Sequence, residues 1–350
     1  MAAEQGERPI VIGVDSFGDM TLGSDGALLS QPENLRELVA EGVLAEESGL
    51  DFFGLGEHHI EEMPLPAPDL VLAAVAARTS RIHLGSAVTV LSSDDPVRVF
   101  QRYATLDALS SGRAEVILGR GSSTESFPLF GFDLADYERL FEEKLELFAQ
   151  VRTEKPVTWS GTTRASLPGL QVYPRTAGGA LPTWVGVGGS PASVVRAARY
   201  GFPVMLAIIG GNPMRFTRLS TLYRQATARE GLAPLPIGVH SPGHVAATDE
   251  QAKEEYWPTY ETFMLEARRQ RGFPAITREY FEHEVEYGSL YVGSPETVAR
   301  RIIKTMTALD ATRFDLKYGM GPMPHDVIME NLRLFGTEVA PRVREQFKRR

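Results

Sequence analysis

The 350-residue chain contains no cysteine. Disulfides, zinc–thiolate centres and iron–sulfur clusters are therefore excluded. Long apolar runs are also missing, and none approaches the roughly 18 residues of a membrane-spanning helix. The only basic run is the tail Lys348, Arg349, Arg350, and the net charge is −9. That balance argues against nucleic acid as the main partner. The opening MAAEQGERP carries no apolar signal region. No GxxxxGK[ST] phosphate loop and no GxSxG nucleophile elbow occurs. The nearest approach to a dinucleotide fingerprint is GVGGSP, from Gly186 to Pro191. It puts Pro191 where a third glycine is needed, and Ile208 stands where an acid belongs. What remains is 43% apolar and 23% charged, an ordinary soluble composition, so the expectation is a cytoplasmic enzyme.

What is present is a rhythm. Short apolar runs alternate with helical patterns along the whole chain. PIVIGVDSF, DFFGLGEHH, RIHLGSAVTV and RAEVILGRG read as strands, each succeeded by a helical stretch. LPTWVGVGG, FPVMLAIIGG, LPIGVHSPGHVA and RFDLKYGMG continue the pattern in the second half. In the first helix Leu35, Leu38, Val39, Gly42 and Val43 share one face, and in the last Ile328, Leu332, Phe335 and Val339 do. Asp95 is placed to cap the third helix, with Pro96 at its first position. Eight β-then-α units with non-alternating strands predict an α/β fold, a (β/α)8 TIM barrel formed by residues 1–350 as one domain. A doubly wound sheet is the rival. Two segments exceed the repeat: 156–180, read as a hairpin insertion after strand 4, and 256–290, read as a lid or interface insertion after strand 7. The second is rich in aromatic residues: Tyr256, Trp257, Tyr260, Phe263, Phe273, Tyr280, Phe281 and Tyr287. They suit either an apolar partner or a subunit contact.

Barrel enzymes carry their sites where strands end. The strand ends here are polar or glycine-rich: Glu57-His58-His59, Thr89 to Ser93, Gly119 to Ser122, Gly188 to Ser190. Glycines let a large ligand approach the backbone. Ser190 can cap the next helix and Pro191 fits its first position, so the free amides there suit an anion. Ser193 and Arg196 can add donors. Arg120, between glycines, can meet a phosphate or simply pair with a carboxylate. Read as consecutive strand residues, His58 and His59 point to opposite faces, which disfavours one shared metal ion. His240 and His244 are four apart, but Pro242 and Gly243 interrupt any helix between them. No metal site is expected. Either one histidine of the pair exchanges protons in the cavity while Glu57 and the other brace the strand end, or both are buried polar groups.

In combination and in order, these pieces resemble the luciferase-like flavin monooxygenases, the superfamily of bacterial luciferase. The stretches that carry the resemblance are FFGLGEHHI (52–60), residues 84–123, FGFD (130–133), residues 181–207 and YVGSPETVARRI (291–302). The resemblance implies a (β/α)8 barrel that binds reduced FMN at the C-terminal strand ends. His58 matches the catalytic histidine, with Glu57 beside it. Ala87, Val88 and Thr89 match the strand whose non-prolyl cis peptide, here Ala87–Val88, supports the flavin ring. Arg120, Gly121 and Ser122 match the region near the flavin phosphate, and Gly188, Gly189, Ser190 and Ser193 the phosphate-binding helix start. The family carries an acid where Gly189 stands and a threonine where Ser193 stands. The implied reaction is monooxygenation of a small apolar organic substrate by reduced FMN and O2 through a flavin C4a-hydroperoxide. A separate NAD(P)H:flavin reductase supplies the reduced flavin, and a homodimer or homotetramer is expected. Two other readings stay open: hydride transfer with the deazaflavin F420, and non-catalytic flavin binding. Light emission is not expected.

Overall fold

The computed structural model describes residues 10–121, 124–271 and 275–348. Ser122 and Phe273 lie outside the described residues. Eight strands form the barrel: β1 (Val11–Ser16), β2 (Phe52–Leu55), β3 (His83–Ser86), β4 (Ala114–Gly119), β5 (Thr183–Val187), β6 (Val204–Ala207), β7 (Ile237–Val245) and β8 (Arg313–Lys317). Each pairs in parallel with the next, and β8 pairs back to β1, so the sheet closes. The strands are buried on both faces, which is why they show no alternation of apolar and polar residues.

The surrounding helices are α1 (Gln31–Glu47), α2 (Pro68–Ala76), α3 (Pro96–Leu109), α4 (Tyr137–Val151), α5 (Pro191–Arg199), α6 (Thr217–Arg229), α7 (Pro295–Leu309) and α8 (His325–Leu334). Asp95 caps α3 by accepting from the amides of Val97 at 2.9 Å and Arg98 at 3.2 Å. α8 runs on through a π-helical turn, and Ile328, Leu332, Phe335 and Val339 are all buried. The buried face of α1 differs from the apolar stripe read in sequence. It comprises Asn34, Leu38, Glu41, Gly42 and Ala45. Asn34 is buried because its side chain holds Thr21 and the carbonyl of Gly18, and Glu41 because Tyr318 donates to it. Long-range polar partners displaced the face that hydrophobicity alone selects.

Segment 156–180 contains an antiparallel pair, Val157–Trp159 with Leu167–Leu170. Segment 256–290 belongs to two helices, Asp249–Arg271 and Arg278–Glu286. A short strand after them, Tyr291–Gly293, pairs with the end of β7. Tyr256, Tyr260 and Phe281 are buried, with ring centroids 5.5–6.4 Å apart, and Trp257 packs on Phe281. These four rings pack the insertion's own two helices together. Tyr280 and Tyr287 remain exposed.

The barrel lumen has a small core of its own: Phe52, Ala87, Ile117, Trp184 and Met205. Arg313, at the start of β8, lies 3.9 Å from the Phe52 ring centroid and 4.8 Å from that of Trp184. It pairs with Glu115 and Asp315. This buried charge cluster centres on the first residue of β8, below the C-terminal strand ends.

Candidate active site

A cavity of about 410 Å³ opens at the C-terminal ends of the strands. Glu57, His58, Ala87, Val88, Arg120, Gly121, Gly188 and Ser190 line it. Thr89, Gly189 and Ser193 do not border it. Thr89 lies behind the wall, donating to the Tyr103 hydroxyl at 3.3 Å. Ser193 is buried in the first turn of α5, its amide on the Ser190 carbonyl at 3.1 Å.

β2 ends at Leu55, so Glu57, His58 and His59 come after the strand rather than belong to it. Strand alternation therefore does not govern them, and both imidazoles line the same cavity. They are separated instead by their partners. His58 Nδ1 lies 2.9 Å from Glu125 Oε1, and His59 Nε2 lies 3.0 Å from Glu57 Oε1. The other oxygen of Glu57 accepts from the Val90 amide at 2.9 Å. Glu57 thus ties the end of β2 to the segment after β3. No cluster of metal-ligating side chains occurs among the described residues.

The Ala87–Val88 peptide is cis. Val88 fills space that two glycines leave free. A Cβ on Gly119 would come within 2.4 Å of Val88 Cγ2, and one on Gly186 within 3.2 Å of Val88 Cγ1. At Gly188 the situation reverses: a Cβ there would meet nothing within 4 Å. Gly188 therefore borders open space at the cavity.

Ser190 stands at the N-cap of α5 with extended backbone, but its side chain makes no capping hydrogen bond. The first-turn amides and the helix dipole still offer an anion site. Arg120 is paired with Glu138 and lies 5.3 Å from the Tyr137 ring centroid. Arg196 of α5 is shared between Glu138 and Glu142. The Tyr137 hydroxyl donates to the Gly121 carbonyl at 3.2 Å. Burial raises the pKa of this phenol, against the opposing pull of Arg120.

The structure adds three residues to the cavity: Asp15 and Glu125, which sequence reasoning missed, and His240, which it weighed only as a metal ligand. His240 Nδ1 lies 2.8 Å from Asp15 Oδ2, and both side chains are buried. Phe17 touches two of the cavity histidines, stacked on His240 at 5.8 Å between centroids and tilted against His58 at 5.1 Å. His240 is in register with Asp315 on β8. Burial pushes the Asp315 carboxyl up to about 6, although Arg313 beside it pulls the other way. Asp15 could have been selected as the acid near the end of the first apolar strand. Nothing local marks Glu125, which precedes the short helix Ser126–Phe130.

Against known proteins, residues 16–312 match the family model described as luciferase-like monooxygenase. The alkanal monooxygenase alpha chain of the Kryptophanaron alfredi symbiont is 30% identical over 218 residues, 61% of this chain and 60% of that one. Among solved structures, the oxygenating constituent of 3,6-diketocamphane monooxygenase from Pseudomonas putida, in complex with FMN, superposes with a TM-score of 0.79 at 19% identity, covering 95% of this chain and 98% of that chain. An F420-dependent secondary alcohol dehydrogenase shares the barrel with a TM-score of 0.72 at 18% identity, covering 96% and 99%. A match this extended, on an eight-stranded barrel with its cavity at the strand ends, leaves one conclusion: the chain belongs to the luciferase-like monooxygenase family.

Proposed function

We propose that this chain is an FMN-dependent monooxygenase. It takes reduced FMN from a separate NAD(P)H:flavin reductase and places one atom of O2 on a small, largely apolar substrate, the other atom leaving as water. The observation that carries the reading is convergence. His58 with Glu125, the Ala87–Val88 peptide, and the open backbone at Gly188 before α5 all meet in one cavity.

The residues present fit FMN. Ala87, Val88 and Gly188 line the cavity that would receive the ring. Ser190 and the α5 amides offer donors for the phosphate. A phosphate there competes with Glu138 for Arg120. Reduced flavin, when bound, supplies the electrons and the atom that meets oxygen. The chain supplies the rest. With Glu125 ionised, the His58 proton sits on Nδ1, so Nε2 is the atom that exchanges a proton in the cavity. Phe17, Val88, Ile117 and Met205 make apolar walls that keep water from the reaction.

The test is to supply photoreduced FMN and labelled O2 with a panel of small aldehydes, ketones and aromatics. The reading expects reduced FMN to bind and label to enter product. A second reading, F420-dependent hydride transfer, is favoured by the shared barrel of the F420-dependent dehydrogenase. Stoichiometric F420 binding with no affinity for FMN in either redox state would replace the first reading with the second.

A further inference from the structure

We propose that Asp15 and His240 form a second proton-handling pair in the cavity, and that it selects a substrate carrying an acidic hydroxyl of the phenol or enol type. The fate of the bound substrate rests on the monooxygenase reading, but the geometry of the pair is independent of it.

The pair is long-range: Asp15 is the penultimate residue of the first strand and His240 lies within the seventh. Asp15 is fully buried. Its Oδ2 takes the His240 Nδ1 at 2.8 Å, and its Oδ1 has no hydrogen-bond partner among the described residues. A buried carboxylate with an unsatisfied oxygen is unusual and calls for an explanation. Because Asp15 holds the Nδ1 proton, His240 presents Nε2 to the cavity that it lines, and there Nε2 is an acceptor. A donor is therefore wanted from the ligand. Asp315, which also lines the cavity, is engaged by Arg313, whose Nε donates to both of its oxygens. Lys317, the other buried cation nearby, is held by Asp19 and the Gly319 carbonyl. Phe17 stacks on His240 and extends the wall with Ile117 and Met205, so the body of the ligand is apolar or flat.

A hydroxyl donated to Nε2 can give up its proton there. The substrate O–H bond breaks, the N–H bond forms, and the electron pair stays on oxygen as phenolate or enolate. The new imidazolium then faces the Asp15 carboxylate and balances its charge. The resulting anion is electron-rich at carbon, which suits attack on an electrophilic oxygen donor.

The probe is 4-nitrophenol, with 4-nitroanisole as the analogue lacking the hydroxyl proton. Binding to the flavin-free chain is measured by equilibrium dialysis, and ionisation by the visible phenolate band. The wild-type chain should bind the phenol at least about tenfold more tightly than the anisole, because a site built for a hydroxyl rejects the analogue without it. The bound phenol should be ionised at a pH where free phenol is mostly protonated. His240→Gln and Asp15→Asn should each bring the two affinities within about twofold. Equal affinities in the wild type, or a preference that survives His240→Gln, overturns the proposal. If both variants fail to fold, absence of the phenolate band in the wild type alone is enough to reject it and its presence to support it. Titration with FMN separates the two claims. A preference without flavin binding rejects only the flavin reading; flavin binding without a preference rejects only this one.

Discussion

Glu57 accepts a hydrogen bond from the Val90 amide at 2.9 Å while its other oxygen holds His59 at 3.0 Å. One carboxylate thereby ties the end of β2 to the chain just after the cis peptide. Removing it leaves a part-buried amide without its acceptor. Glu57→Ala should lower stability by about 1–3 kcal/mol. Glu57→Gln, which keeps an acceptor for Val90, should lose less. Urea denaturation checks both, and equal losses would show that packing rather than the carboxylate holds this junction.

On the proposed reading, His58 and Glu125 concern chemistry more than stability. His58→Ala should reduce substrate oxygenation by about 10²-fold or more, the range of a lost acid–base group, while reduced FMN still binds. Glu125→Gln should retain part of the activity and move the pH profile, because the imidazole loses the carboxylate 2.9 Å from Nδ1. Undiminished turnover in His58→Ala would remove His58 from the mechanism.

Gly119 and Gly188 should respond in opposite ways. A methyl on Gly119 meets Val88 at 2.4 Å, so Gly119→Ala should cost about 1–3 kcal/mol of stability through overpacking. A methyl on Gly188 meets no protein atom within 4 Å. Gly188→Ala should leave the thermal midpoint nearly unchanged yet weaken flavin binding. Thermal melts paired with flavin titration read the two effects, and unchanged flavin affinity in Gly188→Ala would mean that the open space serves another ligand.

Lys144 provides a pH test. It is buried, lies 4.2 Å from the Phe132 ring centroid and donates to the Ser92 carbonyl at 2.6 Å. Burial lowers its pKa from 10.5 to about 8, against the pull of Asp94 and Asp95. Between those values the unfolded chain binds more protons than the folded one, so stability rises with pH through that window. Relative to Lys144→Met, the wild type should gain up to about 1.4 kcal/mol per pH unit between pH 8 and 10.5, and nothing below pH 8. Chemical denaturation at several pH values decides it; parallel curves for the two proteins would show that Lys144 keeps its ordinary pKa.

Much of the architecture was legible in the chain because it depends on local causes. Buried parallel strands must be apolar on both faces, so VIGV and AEVILG announce themselves. Asp95 before Pro96 is a helix-start signal in its own right, and α3 begins there. The glycine-rich strand ends were legible for the same reason, since close backbone approach needs glycine. The site's partnerships were not. Glu125 is 67 residues from His58, and Asp15 is 225 from His240. No periodicity links such pairs.

By itself, then, the sequence determined the eight βα units, the end of the barrel that holds the site, and the motif order that identifies the family. Only the tertiary structure decided which polar groups meet. Barrel closure sets β1 beside β8 and, one strand further, β7, and so places Asp15 within 2.8 Å of His240. It also decided that Glu57 braces two strands, that His58 and His59 share one cavity with different carboxylates, and that the aromatic insertion packs on itself. The physical reason is the same in each case. Burial of apolar strands is encoded residue by residue, whereas a hydrogen bond between distant side chains exists only once the closed sheet has fixed both of them.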